Sequence, residues 1–190
     1  MRQFNNLTIK QKGVSLIEIL AAVAIFAITI GAISGIFISV IRSQRKILAT
    51  QELLDQTSYV LEYMGRALRM AIKDDIDSGG VVKNCLTGDK VNYETFSNGI
   101  NFRNYHNECQ TFYLDSNRLK ESREGVENYL TSEKIIVQNF KINLSGETQT
   151  DTLQPRVTIF LEALGRGATG EQPKIQIQTS ISQRALDTVQ

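Results

Sequence analysis

The 190 residues are 42% hydrophobic and 22% charged, room for one globular domain of about 100–150 residues plus a long appendage, and too little for two such domains. Lys and Arg number 21 against 20 Asp and Glu, a formal charge of +1, so no field recruits nucleic acid by counterion release and nucleic acid is not indicated as a partner. One His, two Cys and no Trp leave too few ligands for ordinary zinc sites and too few bases for hydrolytic triads, so no cofactor, metal or catalytic constellation is expected.

The chain opens with a short polar leader, MRQFNNLTIKQKG, which carries Arg2, Lys10 and Lys12 and no acid. From residue 19 to residue 41 there follow 23 consecutive residues without a charge. As a helix this run measures about 34 Å against a hydrocarbon core of roughly 30 Å, so it can span a bilayer. The basic leader predicts a single pass through the cytoplasmic membrane, N-terminus inside and C-terminus outside. A secretory signal peptide would need an apolar region of only about 7–15 residues and a small-residue cleavage site. An uncleaved signal anchor is the simpler alternative, but it leaves Glu18 without a purpose.

Glu18 lies between Leu16, Ile17, Ile19 and Leu20. A carboxylate in a membrane helix costs about 2.5–3.5 kcal/mol at the helix centre and less near an end, and by default it has a partner. It either snorkels to the interface or fixes register when the helix packs against others.

The stretch Lys12-Gly13-Val14-Ser15-Leu16-Ile17-Glu18-Ile19-Leu20 resembles the precursor signature of type IV pilins and type II secretion pseudopilins. In that family a short basic leader ends in Gly, and a hydrophobic residue and a Thr/Ser-Leu-Ile-Glu run follow. Most members have Phe where this chain has Val14. The resemblance implies cleavage after Gly13 by a membrane-embedded prepilin peptidase, N-methylation of Val14, and assembly with other pilin or pseudopilin subunits through the N-terminal helix. It further implies that Glu18 pairs with the N-terminus of a neighbouring subunit.

Gly before the cut bond suits an extended backbone close to a catalytic centre. Losing residues 1–13 removes three cations, leaving 18 basic against 20 acidic side chains, net −2 before the new amine is counted. On a helix beginning at Val14, that amine and the Glu18 carboxylate would stand four apart on one face. A pair at 4 Å gains about 4 kcal/mol at an effective dielectric of 20, before desolvation. Pairing within one subunit and pairing between subunits both remain open.

Beyond the apolar run, Ile33, Val40, Ile47, Leu54, Leu61 and Leu68 recur every seven residues, flanked by Leu53, Val60, Met64, Ala67 and Ala71. Charges such as Arg42, Arg45, Lys46, Glu52, Asp55, Glu62, Arg66 and Arg69 occupy the other faces. The pattern predicts one helix from Val14 to about Lys73, roughly 90 Å long, its second half docked on the chain's own sheet or paired in a coiled coil. Gly31 and Gly35 form a Gly-x-x-x-Gly pair, a weak signal for close helix approach. The cluster Asp74, Asp75, Asp77 with Gly79-Gly80 marks a helix end; it fails the EF-hand template because Leu86 stands where the bidentate Glu belongs.

Strands are predicted at 99–103, 110–114, 118–122, 134–144, 156–164 and 174–182, with a hairpin turn at Asp115-Ser116-Asn117 and a Gly-rich loop from Gly165 to Pro173 that is no phosphate loop. The expected fold is α+β and pilin-like: a long N-terminal helix packed on one C-terminal antiparallel sheet. Its parts are a cleaved leader 1–13, a membrane and assembly half-helix 14–41, an amphipathic half-helix 42–74 and a sheet domain 75–190.

The Leu53-Leu54-Asp55 to Leu68-Arg69 stretch, Leu130-Thr131-Ser132, Gln154-Pro155-Arg156-Val157-Thr158-Ile159 and Gln178-Thr179-Ser180-Ile181-Ser182-Gln183-Arg184 resemble, loosely, the larger minor pseudopilins called J-type or W-type. Cys85 and Cys109 face an extracytoplasmic compartment on this topology, where a disulfide would close a 25-residue loop; two buried thiols are the alternative. His106 reads as a surface residue. The expected function is a structural minor subunit of a type IV pilus or pseudopilus. The alternatives are a tip-initiating pseudopilin of type II secretion and an uncleaved signal-anchored binding domain. An enzyme is the least supported class, since no nucleophile, base and orienting partner can be named together.

Overall fold

The computed structural model describes residues 13–73, 85–87, 91–146, 153–166 and 172–184. Contacts divide the chain into two compact units, Met1–Arg45 and Lys46–Gln190. A single helix, α1 (Leu16–Arg69), runs through both, and eight strands follow it.

The helix starts where Ser15 offers its carbonyl to the amides of Glu18 and Ile19, at 3.0 and 3.2 Å. Ser15-x-x-Glu18 has the residue types of a capping box, the first acid sitting in the first turn where the helix dipole favours it. In the unprocessed chain Val14 therefore lies outside the helix, which begins two residues after the expected start.

At the other end the helix stops at Arg69, about a turn before the expected Lys73. Tertiary partners take its last carbonyls. The Tyr93 hydroxyl donates to Leu68 O at 2.6 Å, the Arg184 amide to Arg69 O at 2.8 Å, and Gln183 Nε2 to Ala71 O at 2.7 Å. Ile72 then bridges to Arg103 as an isolated β-pair. These bonds satisfy the orphan acceptors of a helix end and turn the chain away from the axis. Asp74 to Gly80 lie outside the described residues, as do Arg2, Lys10 and Lys12.

The strands are β1 (Tyr93–Phe96), β2 (Gly99–Arg103), β3 (Cys109–Asp115), β4 (Arg118–Arg123), β5 (Val126–Tyr129), β6 (Ile135–Ser145), β7 (Arg156–Gly165) and β8 (Lys174–Ser182). They form two antiparallel meanders in place of the single sheet expected: five strands in the order β1-β2-β3-β4-β5 and three in the order β6-β7-β8. β1 and β5 went unpredicted because each has only four residues, and β5 is exposed throughout, so neither alternates visibly. The turn at Ser116-Asn117 has φ of 49° and 64°, as tight two-residue hairpins demand. A second such turn, Glu124-Gly125 at 49° and 82°, joins β4 to β5.

One hydrophobic cluster holds the unit together. From α1 it takes Leu53, Val60, Met64 and Leu68; from the larger sheet Tyr93, Ile100, Phe102, Phe112 and Leu119; from the smaller one Val137, Ile159, Leu161 and Ile181. The buried stripe is spaced by threes and fours, and it departs from the expected seven-residue series in an orderly way. Leu54 is exposed, Leu61 partly buried and Leu68 fully buried, because a straight helix drifts about 20° per heptad.

Two glycines sit in this packing with opposite consequences. A Cβ on Gly99 would come within 2.4 Å of both Phe112 O and the Phe96 ring, whereas one on Gly65 would meet only Ile181 at 3.7 Å. Gly99→Ala is expected to lower the stability of the full chain by about 1–3 kcal/mol through overpacking. Gly65→Ala is expected to leave it unchanged or raise it by about 0.5–1 kcal/mol through helix propensity. Chemical unfolding in detergent, followed by circular dichroism, checks both.

Candidate functional site

The proposed processing junction is open. Gly13 and Val14 precede the helix in irregular backbone and both are exposed. Nothing lies within 4 Å of a Cβ built on Gly13, so no neighbour within the chain requires glycine there. Glu18 is exposed in the first turn of α1, four residues from Val14 in sequence but not on a common helix face. The Ser15-x-x-Glu18 pattern is the sequence signal for this helix start.

From Leu16 to Val40 every residue of α1 is exposed. The helix contains an 18-residue window of mean hydropathy 2.6, none of it buried, long and apolar enough to cross a membrane by length and composition. The Thr29 hydroxyl donates to Ile25 O at 2.8 Å, hiding its polarity against the helix's own backbone. Gly31 and Gly35 have open space around them. An unbroken apolar surface of this size marks a membrane or protein interface, because soluble monomers rarely expose more than a few hundred Å² in one patch.

In the β-domain, Cys85 is disulfide-bonded to Cys109, with Cα atoms 5.2 Å apart. Cys109 opens β3, where its amide donates to Glu124 Oε1 at 2.9 Å and its carbonyl accepts the Glu124 amide at 3.1 Å. The bond ties residue 85 to the corner where β3 meets the β4–β5 turn.

Next to this corner is a polar network that nothing in the sequence announces, since its members lie up to 60 residues apart. Glu121 Oε1 accepts from the Tyr63 hydroxyl at 2.8 Å, from Gln110 Nε2 at 2.5 Å and from Arg123 Nη2 at 3.0 Å. Arg123 Nη2 also donates to the Tyr63 oxygen at 3.0 Å. Burial first, and then the neighbouring Glu121 carboxylate, push the Tyr63 hydroxyl up from 10.0 to about 12. A cavity of about 270 Å³ opens beside the network, walled by Tyr63, Ala67, Met70 and Tyr105. His106 stands at its rim, its ring stacked on Tyr105 with centroids 3.8 Å apart. Among the described residues no three His, Cys, Asp or Glu side chains converge as a metal site would require. Gly165 donates its amide to Pro173 O at 2.8 Å; residues 167–171 of the loop between them are outside the described residues.

Residues 9–34 match the family model of the prokaryotic N-terminal methylation motif. The chain thus carries a type IV pilin-like prepilin signature on a pilin-like α+β architecture. Such a signature implies processing by prepilin peptidase and assembly with other pilins, a structural role in place of a catalytic one, and the apolar helix with it suggests membrane anchoring. A search of the curated proteins returned no match, and neither did a search of the solved structures.

Two outcomes follow from the β-domain. Reducing the Cys85–Cys109 bond is expected to cost about 3 kcal/mol in the chain-entropy account, read as a lower denaturant midpoint with reductant present and no reductant effect in Cys85→Ser/Cys109→Ser. For Tyr63, the folded state holds the proton more tightly than the unfolded one, so its contribution is fully present below pH 10 and is lost as pH rises toward 12. In Tyr63→Phe, the fall in stability between pH 10 and 12 should be shallower than in the parent chain.

Proposed function

We propose that the chain is the precursor of a minor subunit of a type IV pilus or a related pseudopilus. The single observation that carries the reading is the coincidence, within residues 9–34, of the methylation motif with a helix that buries none of its apolar window. A helix left bare over that length has no use inside one molecule. It is suited to lipid first and to the helices of other subunits afterwards.

In this reading residues 1–13 are the leader, with Arg2, Lys10 and Lys12 holding it on the cytoplasmic side. Prepilin peptidase cuts after Gly13, Val14 becomes the N-methylated terminus, and Glu18 sets register in the assembled filament. Residues 14–41 exchange lipid for partner helices, residues 42–74 carry the stripe beneath the sheets, and residues 75–190 form the outer surface of the filament or its tip. A minor position is favoured by the size of the β-domain, which adds a second sheet to the first. The J-type or W-type subdivision rests on loose motifs alone and gains nothing from the comparisons. A tip-initiating pseudopilin of type II secretion fits the same geometry, and which machine the subunit joins is decided by its partners.

Peptide mass spectrometry on protein from membranes containing an active prepilin peptidase tests the reading. The expected N-terminal peptide begins at N-methylated Val14, and Gly13→Val should retain residues 1–13. Glu18→Gln should still be cleaved but enter filaments at least tenfold less than the parent. An uncut chain would instead favour a signal-anchored binding domain, and full incorporation of Glu18→Gln would remove the register role.

A further inference from the structure

The two sheets present four edge strands, and native proteins blunt such edges with shortness, charge or bulges, because an open row of N–H and C=O groups recruits other strands. β1 and β5 have four residues each and carry Glu94 and Glu127. β6 carries Lys141 and a register irregularity between Val137 and Asn139, and the Val137 amide is already taken by Asn117 O at 2.9 Å. β8 has none of these protections. It is nine residues long, its one charge is Lys174 at the first position, already paired with Glu162, and from Ile175 to Ser182 it holds neither charge nor proline. Among the described residues no group bonds to its backbone from the side away from β7.

A groove of about 700 Å³ runs beside this edge, between β8 and α1. Ile175, Ile177, Thr179 and Ile181 share one face of the strand. Ile181 is buried against the helix at Gly65, yet Ile177 and Thr179 remain only partly covered. They line the groove with Leu61, Arg66 and Arg69 of the helix. Arg66 is paired with Glu62 at 2.5 Å, whereas Arg69 has no ion pair among the described residues.

We propose that this groove takes up an extended segment of another polypeptide as a fourth strand on β8, with apolar residues at alternate positions and an acidic residue against Arg69. The backbone row can be matched only by another extended chain, which rules in a strand over a compact small molecule. Ile177 and Leu61 ask for apolar side chains at every second position, and Arg69 asks for a carboxylate.

The test uses the full chain in detergent and a labelled ten-residue peptide alternating valine and threonine, with a glutamate near one end. A control peptide of similar composition carries proline at two alternate positions. Saturable anisotropy binding is expected for the first peptide only, with amide exchange slowed along residues 175–182. Thr179→Lys, which puts a charge into the groove, should weaken binding at least tenfold at an unchanged unfolding midpoint. Should that variant fail to fold, Arg69→Glu provides the second arm: it should weaken binding by about fivefold or less, as an exposed ion pair allows, and a peptide with lysine for glutamate should restore it. Three results would overturn the proposal: no saturable binding, equal binding of the proline peptide, or protection of β8 that depends on protein concentration without peptide. These readouts do not involve residues 13–18, so failure here is separable from failure of the filament reading.

Discussion

Leu53, Val60, Met64 and Leu68 form the stripe on which the β-domain is assembled. All four are at most 1% exposed. The larger sheet meets the helix through Phe112, whose ring lies edge-on to Tyr63 at 6.0 Å, and the smaller one through Ile181 at Gly65. Fully burying such side chains contributes about 1.5–3 kcal/mol each, so the four together are comparable with the whole net stability of a domain, about 5–15 kcal/mol. Neither sheet has a complete core without the helix. The unit that begins at Lys46 is therefore defined by a segment of the same helix that also supplies the bare apolar surface.

The C-terminal end of α1 shows how that dependence is enforced. A helix end leaves carbonyls without partners, and here Tyr93, Arg184 and Gln183 reach it from the start of the larger sheet and from just beyond β8. Residues 25 and more than 100 positions away thus fix where the helix stops. No local signal at residues 70–73 indicates this, and the helical pattern alone continues toward the acidic cluster.

What was legible in the chain was whatever repeats locally. The apolar run, the leader charge and the Gly13 to Glu18 motif are contiguous, and β2 and β8 fall at residues 99–103 and 174–182 as their alternation indicated. Illegible were features fixed by distant contacts. The division into two sheets depends on which strands find each other, and the choice of Leu53 over Leu54 as the buried neighbour depends on helix drift past a fixed core. The Tyr63, Gln110, Glu121 and Arg123 network joins residues from one helix and two strands with no spacing to betray it. At the candidate site the Ser-x-x-Glu spacing announces the helix start, with Ser15, one residue beyond the expected start at Val14, as its cap.

That shift bears on what Glu18 can do. In the first turn it gains from the helix dipole about 0.3–1 kcal/mol, less than the roughly 2.5–3.5 kcal/mol that a carboxylate costs at the centre of a membrane helix. Near the end of the helix the deficit narrows but does not vanish, so the dipole alone does not account for an acid at this position. In the precursor no amine exists at Val14 to offset it. On the proposed processing, removal of residues 1–13 creates that amine close to the start of α1 and at the same time strips three cations from the cytoplasmic flank. In the unprocessed chain Val14 lies outside the helix, so i,i+4 geometry does not hold it on the Glu18 face. On the proposed processing, cleavage would therefore supply the positive partner that the precursor lacks near Glu18, within the subunit or on a neighbouring one.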